Sequence, residues 1–103
     1  MAEVIWTSPA LDDLGQIAEY IALSNLSAAK TFVKTVFEKI SRLENHPDSG
    51  KVPLELVNLN YREVNVNPCR IFYKVDGKKV YILHVMRQER DLRKYLLSKN
   101  RVV

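Results

Sequence analysis

Apolar residues recur at helical spacing in the first half of the chain and at every second position in the second half. Leu11, Leu14, Ile17, Ala18, Ile21 and Ala22 lie three or four apart, which predicts one apolar stripe of an amphipathic helix ending near Ser24. Ser8 is the expected N-cap and Pro9 the first helical residue, where a missing N–H costs nothing. Asp12 and Asp13 then fall in the first turn, where negative charge suits the helix dipole. The segment Ser24-Asn25-Leu26-Ser27 breaks this helix. A second helix is predicted from there to about Asn45, with Ala29, Phe32, Val33, Val36, Phe37, Ile40 and Leu43 on its stripe. So short a link implies an antiparallel helix hairpin, and its apolar stripes need a flat surface to cover them.

Val4 to Thr7 is a short β-prone run ahead of the first helix. His46-Pro47-Asp48-Ser49-Gly50 ends the second helix, and a looser segment, 51–60, follows. Alternation then begins. Tyr61 to Asn67 places Arg62, Val64 and Val66 on one side, and Cys69 to Val75 places Cys69, Ile71, Tyr73 and Val75 on one side. Lys79 to Val85 places Val80, Ile82 and His84 opposite Tyr81, Leu83 and Val85. Asn67-Pro68 and Asp76-Gly77 are turn signals, so the three strands should form an antiparallel meander. Leu92, Tyr95 and Leu96 suggest a final short helix over 88–97. The expected fold is α+β, in the order β-α-α-β-β-β-α, with the helix hairpin packed on a small antiparallel sheet.

A length of 103 residues suits one domain, 1–103. The single cysteine excludes an internal disulfide. Met1 to Val4 lacks the basic start and apolar stretch of a signal peptide, and no run of about 18 apolar residues exists, so a cytoplasmic protein with no membrane partner is expected. The net charge of +4 points to an acidic partner. From Arg87 to Arg101, six basic residues (Arg87, Arg90, Arg93, Lys94, Lys99, Arg101) stand against two acidic ones (Glu89, Asp91), an excess equal to the net charge of the whole chain. That tail is either a solvated helix face or a surface for an acidic partner.

Chemical machinery is sparse. His46 and His84 have no companion at zinc-ligand spacing, the glycines are isolated, and Cys69 sits in an apolar strand as a small hydrophobe would. No metal and no cofactor are expected. His84 is the one candidate general acid or base, although a structural role suits its position better. Three arginines from consecutive strands or strand ends, Arg62, Arg70 and Arg87, could converge on one anion such as an RNA phosphate. They could equally hold an acidic partner, or pair with nearby carboxylates such as Glu63 and Asp76.

Several segments, in order, resemble the ParE/RelE superfamily of toxins from type II toxin–antitoxin systems. They are Trp6-Thr7-Ser8-Pro9-Ala10-Leu11-Asp12-Asp13-Leu14 with Ile17 to Ala22, His46-Pro47 with Gly50, Tyr61-Arg62-Glu63-Val64, Cys69 to Val75, and Val80 to Arg87 with Glu89-Arg90-Asp91-Leu92. The resemblance covers nearly the whole chain. It implies a toxin silenced by a cognate antitoxin, as a hetero-oligomer. ParE-like members inhibit DNA gyrase, while RelE-like members cut mRNA on the ribosome. The long hairpin and the Arg87–Leu92 ending look more like ParE. Gyrase inhibition by binding is therefore the leading expectation, with Arg87, Arg90, Arg93, Lys94 and Tyr95 engaging the target. The alternatives are a ribosome-dependent endoribonuclease using Arg62, Arg70 and Arg87, and a small nucleic-acid-binding module. Under either toxin reading, an apolar groove between hairpin and sheet, rimmed by Lys and Arg, would suit an acidic amphipathic segment of the antitoxin.

Overall fold

A short strand, β1 (Glu3–Trp6), leads into two helices, α1 (Ser8–Ser24) and α2 (Leu26–Ser41), and then into three strands, β2 (Arg62–Val66), β3 (Cys69–Asp76) and β4 (Lys79–Arg87). The structure is a computed structural model and describes residues 1–88. The expected final helix lies outside the described residues beyond Gln88. The last three strands form the expected antiparallel meander, closed by two-residue turns at Asn67-Pro68 and Gly77-Lys78. At the second turn Gly77 adopts a φ of +60°, the left-handed conformation glycine takes without steric cost. The sheet is larger than the meander. β1 pairs with β4 in parallel, from Glu3 opposite Lys79 to Trp6 opposite Ile82, giving a four-stranded mixed sheet in the order β1-β4-β3-β2. A parallel pairing needs a long crossover, and the helix hairpin is part of the connection that supplies it.

Local chemistry sets the start of α1 one residue from the expected place, and α2 ends at Ser41, short of the expected Asn45, where a 3-10 turn over Arg42–Glu44 takes over. Thr7, not Ser8, is the N-cap of α1: its hydroxyl accepts from the Ala10 N–H at 3.4 Å and donates to the Ile82 carbonyl at 2.6 Å. One side chain thus caps the helix and ties its start to β4. Asp12 and Asp13 consequently lie beyond the first turn. Asn25 alone links the helices, and its side chain accepts from the Ala28 N–H to cap α2. The buried row of α1 is Ala10, Asp13 and Leu14, continued by the partly buried Ile17 and Ile21, whereas Leu11 is exposed. α2 buries Ala29, Phe32, Val36 and Ile40 as its spacing predicts.

The main core lies between hairpin and sheet. Ile71, Tyr73, Val80, Ile82 and Val85 meet Leu14, Val36 and Ile40 there, all at 4% exposure or less. Each fully buried aliphatic chain contributes on the order of 2 kcal/mol. The opposite face carries a smaller cluster, Phe72, Met86 and Leu56, with Tyr61 packed against it.

The sheet departs from simple alternation once. Phe72 pairs with His84 and Tyr73 with Ile82, so Leu83 is an extra residue in β4, a β-bulge. Period two restarts after it. His84 therefore leaves the Val80–Ile82 side, where the sequence places it, for the face of Phe72. Val85 and Arg87 turn toward the helices instead. An extra backbone residue reverses every side chain beyond it.

Candidate interaction surface

The three arginines do not form one site. Arg62 pairs with Tyr73 across the β2–β3 ladder and Arg87 pairs with Cys69 across the β3–β4 ladder. Those positions lie four steps apart on β3, about 13 Å along the strand. Arg70 alternates with Cys69 and Ile71, so it projects from the opposite face.

Two of the three brace the fold. Arg70 donates from Nε to Glu63 Oε2 at 2.6 Å, and its terminal nitrogens span both Glu55 oxygens at 2.8 and 2.9 Å. A further bond to Glu63 Oε1 measures 3.1 Å. Its side chain is only 14% exposed, and its partner Glu63 is 4% exposed. Hydrogen bonding to Glu55, then to Glu63, holds the guanidinium charged more firmly than an ordinary arginine, against the opposing effect of burial. Arg70 also stands 4.9 Å from the Phe72 ring centre. The clamp binds segment 51–60, through Glu55, to the back of the sheet. Arg62 donates to the carbonyls of Asp48 (3.2 Å) and Gly50 (2.9 Å), which pins the turn after α2. Tyr73 completes that turn: its hydroxyl donates to the Pro47 carbonyl at 2.8 Å and accepts from the Gly50 N–H at 2.9 Å. A side chain at Gly50 would meet the Tyr73 hydroxyl at 2.5 Å, so this close approach requires glycine.

Arg87 is placed differently. It ends β4 on the helix side, with its guanidinium carbon 4.8 Å from the centre of the Tyr20 ring. Tyr20 is 58% exposed on α1. Three and four residues apart on that helix, Asp13, Ile17 and Tyr20 form one row facing β4. Asp13, 5% exposed, accepts from the Val85 N–H at 3.2 Å beyond the point where β1 ends. Sequence reasoning missed both contacts. The available signal was a polar residue on the apolar stripe and an aromatic residue beside it. Arg90, Arg93, Lys94 and Tyr95 lie outside the described residues.

A trough runs along the border of α2 and β2, the outer strand on that side of the sheet. One stretch, about 710 Å³, is apolar at Ile21, Phe32, Val66 and Pro68. A second, about 350 Å³, is lined by Lys39, Arg42 and Lys51 together with Glu63 and Asn65. Lys39 borders both stretches and donates to the Asn65 carbonyl at 3.5 Å. The carboxylate in the basic stretch, Glu63, is bonded to Arg70, which leaves the three cations to set its sign. Lys51 exchanges two backbone bonds with Glu63, occupying part of the β2 edge. Among the described residues no group of three His, Cys, Asp or Glu is placed to hold a metal ion. No helix among them is long and apolar enough to cross a membrane.

A four-stranded mixed sheet capped on one face by a helix hairpin, with basic side chains on its margins, defines a small α+β domain. Residues 4–92 match the family model described as "ParE toxin of type II toxin-antitoxin system, parDE", and the chain belongs to that family. The fold is similar to a solved structure described as the chromosomal ParDE toxin–antitoxin system from P. aeruginosa. That likeness has a TM-score of 0.72 and 26% identity over 86% of this chain and 98% of the other. No curated protein matches the chain.

Proposed function

We propose that this ParE-family protein acts by binding: it inhibits DNA gyrase in the cytoplasm and is silenced by a cognate antitoxin seated in the trough between α2 and β2. The dispersal of Arg62, Arg70 and Arg87 carries the first half of this reading. A ribonuclease has to activate a ribose hydroxyl, stabilise the phosphate and protonate the leaving oxygen from groups around one point. Here two of the three arginines brace the turn and the loop that follow α2, and they point from opposite faces. The trough supports the second half. An antitoxin segment with apolar residues followed by acidic ones matches its apolar and basic stretches in that order, and such a segment would fold as it binds.

Purified full-length protein at stoichiometric amounts should halt supercoiling of relaxed plasmid by gyrase, and the antitoxin should restore it. Unchanged supercoiling, with transcripts cut on translating ribosomes, would replace this reading by the nuclease one.

A further inference from the structure

We propose that the acidic end of the antitoxin segment is extended and pairs with the outer edge of β2 at Asn65. Three successive side chains of that segment, apolar, apolar and acidic, then enter three separate cavities. This rests on the reading of the trough as the antitoxin site, and adds to it a backbone register and a sequence pattern. Glu63 exchanges two backbone bonds with Lys51 on the outer side of β2. Backbone direction alternates along an antiparallel strand, so Asn65, two residues on, also turns its N–H and C=O outward. Among the described residues no backbone group pairs with Asn65 on that side, and its carbonyl accepts from Lys39 Nζ at 3.5 Å. An open strand edge is a template for another strand, and a lysine beside it is a common guard. Lys39 keeps the place that a backbone N–H of the incoming segment takes, and is then released to that segment's carboxylate.

The cavities beside this edge set the pattern, because side chains of directly paired residues share a face. Val66 faces the helices and borders the apolar stretch of the trough, about 710 Å³, beside Ile21, Phe32 and Pro68. Asn65 turns the other way, as Glu63 does in reaching Arg70. It borders a cavity of about 720 Å³ on the far face, where Val52 and Leu54 are 44% and 88% exposed. Val64 returns to the helix side, at the stretch of about 350 Å³ that holds Lys39 and Arg42. A segment running antiparallel to β2 thus sets an apolar residue opposite Val66, a second one opposite Asn65 and an acidic one opposite Val64. Beyond that point Lys51 holds the edge at Glu63, which limits the pairing to Asn65. Strand addition draws affinity from main-chain bonds and specificity from pockets for alternate side chains. The cations select the carboxylate.

The test uses the full-length protein and its purified cognate antitoxin. In the unmodified protein the Asn65 amide should exchange with deuterium about tenfold more slowly in the complex than in the free chain. Asn65→Pro removes the outward N–H without touching the bonds to β3 and should weaken antitoxin binding about tenfold. Asn65→Ala keeps the N–H and should bind as the unmodified protein does. Lys39→Glu should also weaken binding about tenfold and flatten its dependence on salt. Leu54→Asp should weaken binding from the far face, and unchanged binding there overturns the alternating pattern. The exchange measurement needs no variant, so it decides the pairing whether or not Asn65→Pro folds. An Asn65 amide that exchanges equally fast in the free and bound protein overturns the pairing. If Lys39→Glu still weakens binding in that case, the trough stands as the antitoxin site with its segment in another conformation. An unprotected Asn65 together with unchanged binding by Lys39→Glu overturns the trough reading as well.

Discussion

On the helix side of the sheet, Val36, Ile40, Ile71, Ile82 and Val85 are buried against one another in a contiguous apolar layer. On the far side Phe72, Met86 and Leu56 make a smaller patch, and segment 51–60 is fastened across it by Glu55, Arg70 and Glu63. Apolar burial is non-directional and scales with area, so it tolerates small shifts of its parts. A clamp of two carboxylates and one guanidinium depends on geometry. It also leaves buried charge behind when one member is lost. The first side makes the fold stable, and the second gives one loop a single position.

That contrast can be broken from either side. Ile71→Ala, at a site with no exposure, should cost about 4 kcal/mol, read as a lower midpoint in urea, because a cavity opens in the continuous layer. Arg70→Ala should cost about 3 kcal/mol by leaving Glu63 buried and uncompensated. Arg70→Met should recover most of that loss if apolar volume can substitute for the clamp, and little if Glu63 keeps its charge in place. Protease cleavage within 51–60 should rise in Arg70→Ala and stay unchanged in Ile71→Ala at equal global stability. Equal cleavage in both would show that the clamp does not hold the loop by itself.

The smallest effect sharpens the comparison at the turn that joins the two regions. Tyr73→Phe removes the bonds to Pro47 and Gly50 and should cost about 1 kcal/mol near neutral pH. Burial, the largest influence, raises the Tyr73 phenol above its ordinary value, so the unfolded chain releases this proton first as pH rises. The stability Tyr73 contributes is therefore intact below about pH 10 and lost above it. The gap between unmodified protein and Tyr73→Phe should hold up to about pH 10 and narrow above it in denaturant titrations. A gap that widens would show that the hydroxyl is not buried in its neutral form.

The helices and the meander were legible because each is written in a local period. Ala29, Phe32, Val36 and Ile40 fall on one helical stripe, and Cys69, Ile71 and Tyr73 on one strand face, whatever else surrounds them. The bulge at Leu83 was not legible, since no residue type there requires it, and its consequence reached His84, Val85 and Arg87 together. The candidate site was half legible. Arg87 stands out as a basic residue at a strand end, but its companion Tyr20 is 67 positions away in the chain and on another element. Arg62 and Arg70 looked alike in sequence as basic residues on paired strands. Only their neighbours Asp48, Glu55 and Glu63 distinguish a brace from a binding group.

The sequence by itself determined the elements, their order, the antiparallel ribbon and the family, because hydrophobic period, caps and turn residues act over a few neighbouring positions. The tertiary structure decided where β1 docks, which face each side chain takes beyond Leu83, and which groups Arg62 and Arg70 brace. Those outcomes depend on contacts between distant segments. Such contacts leave no periodic trace along a chain and form only when the backbone brings their partners within hydrogen-bonding reach.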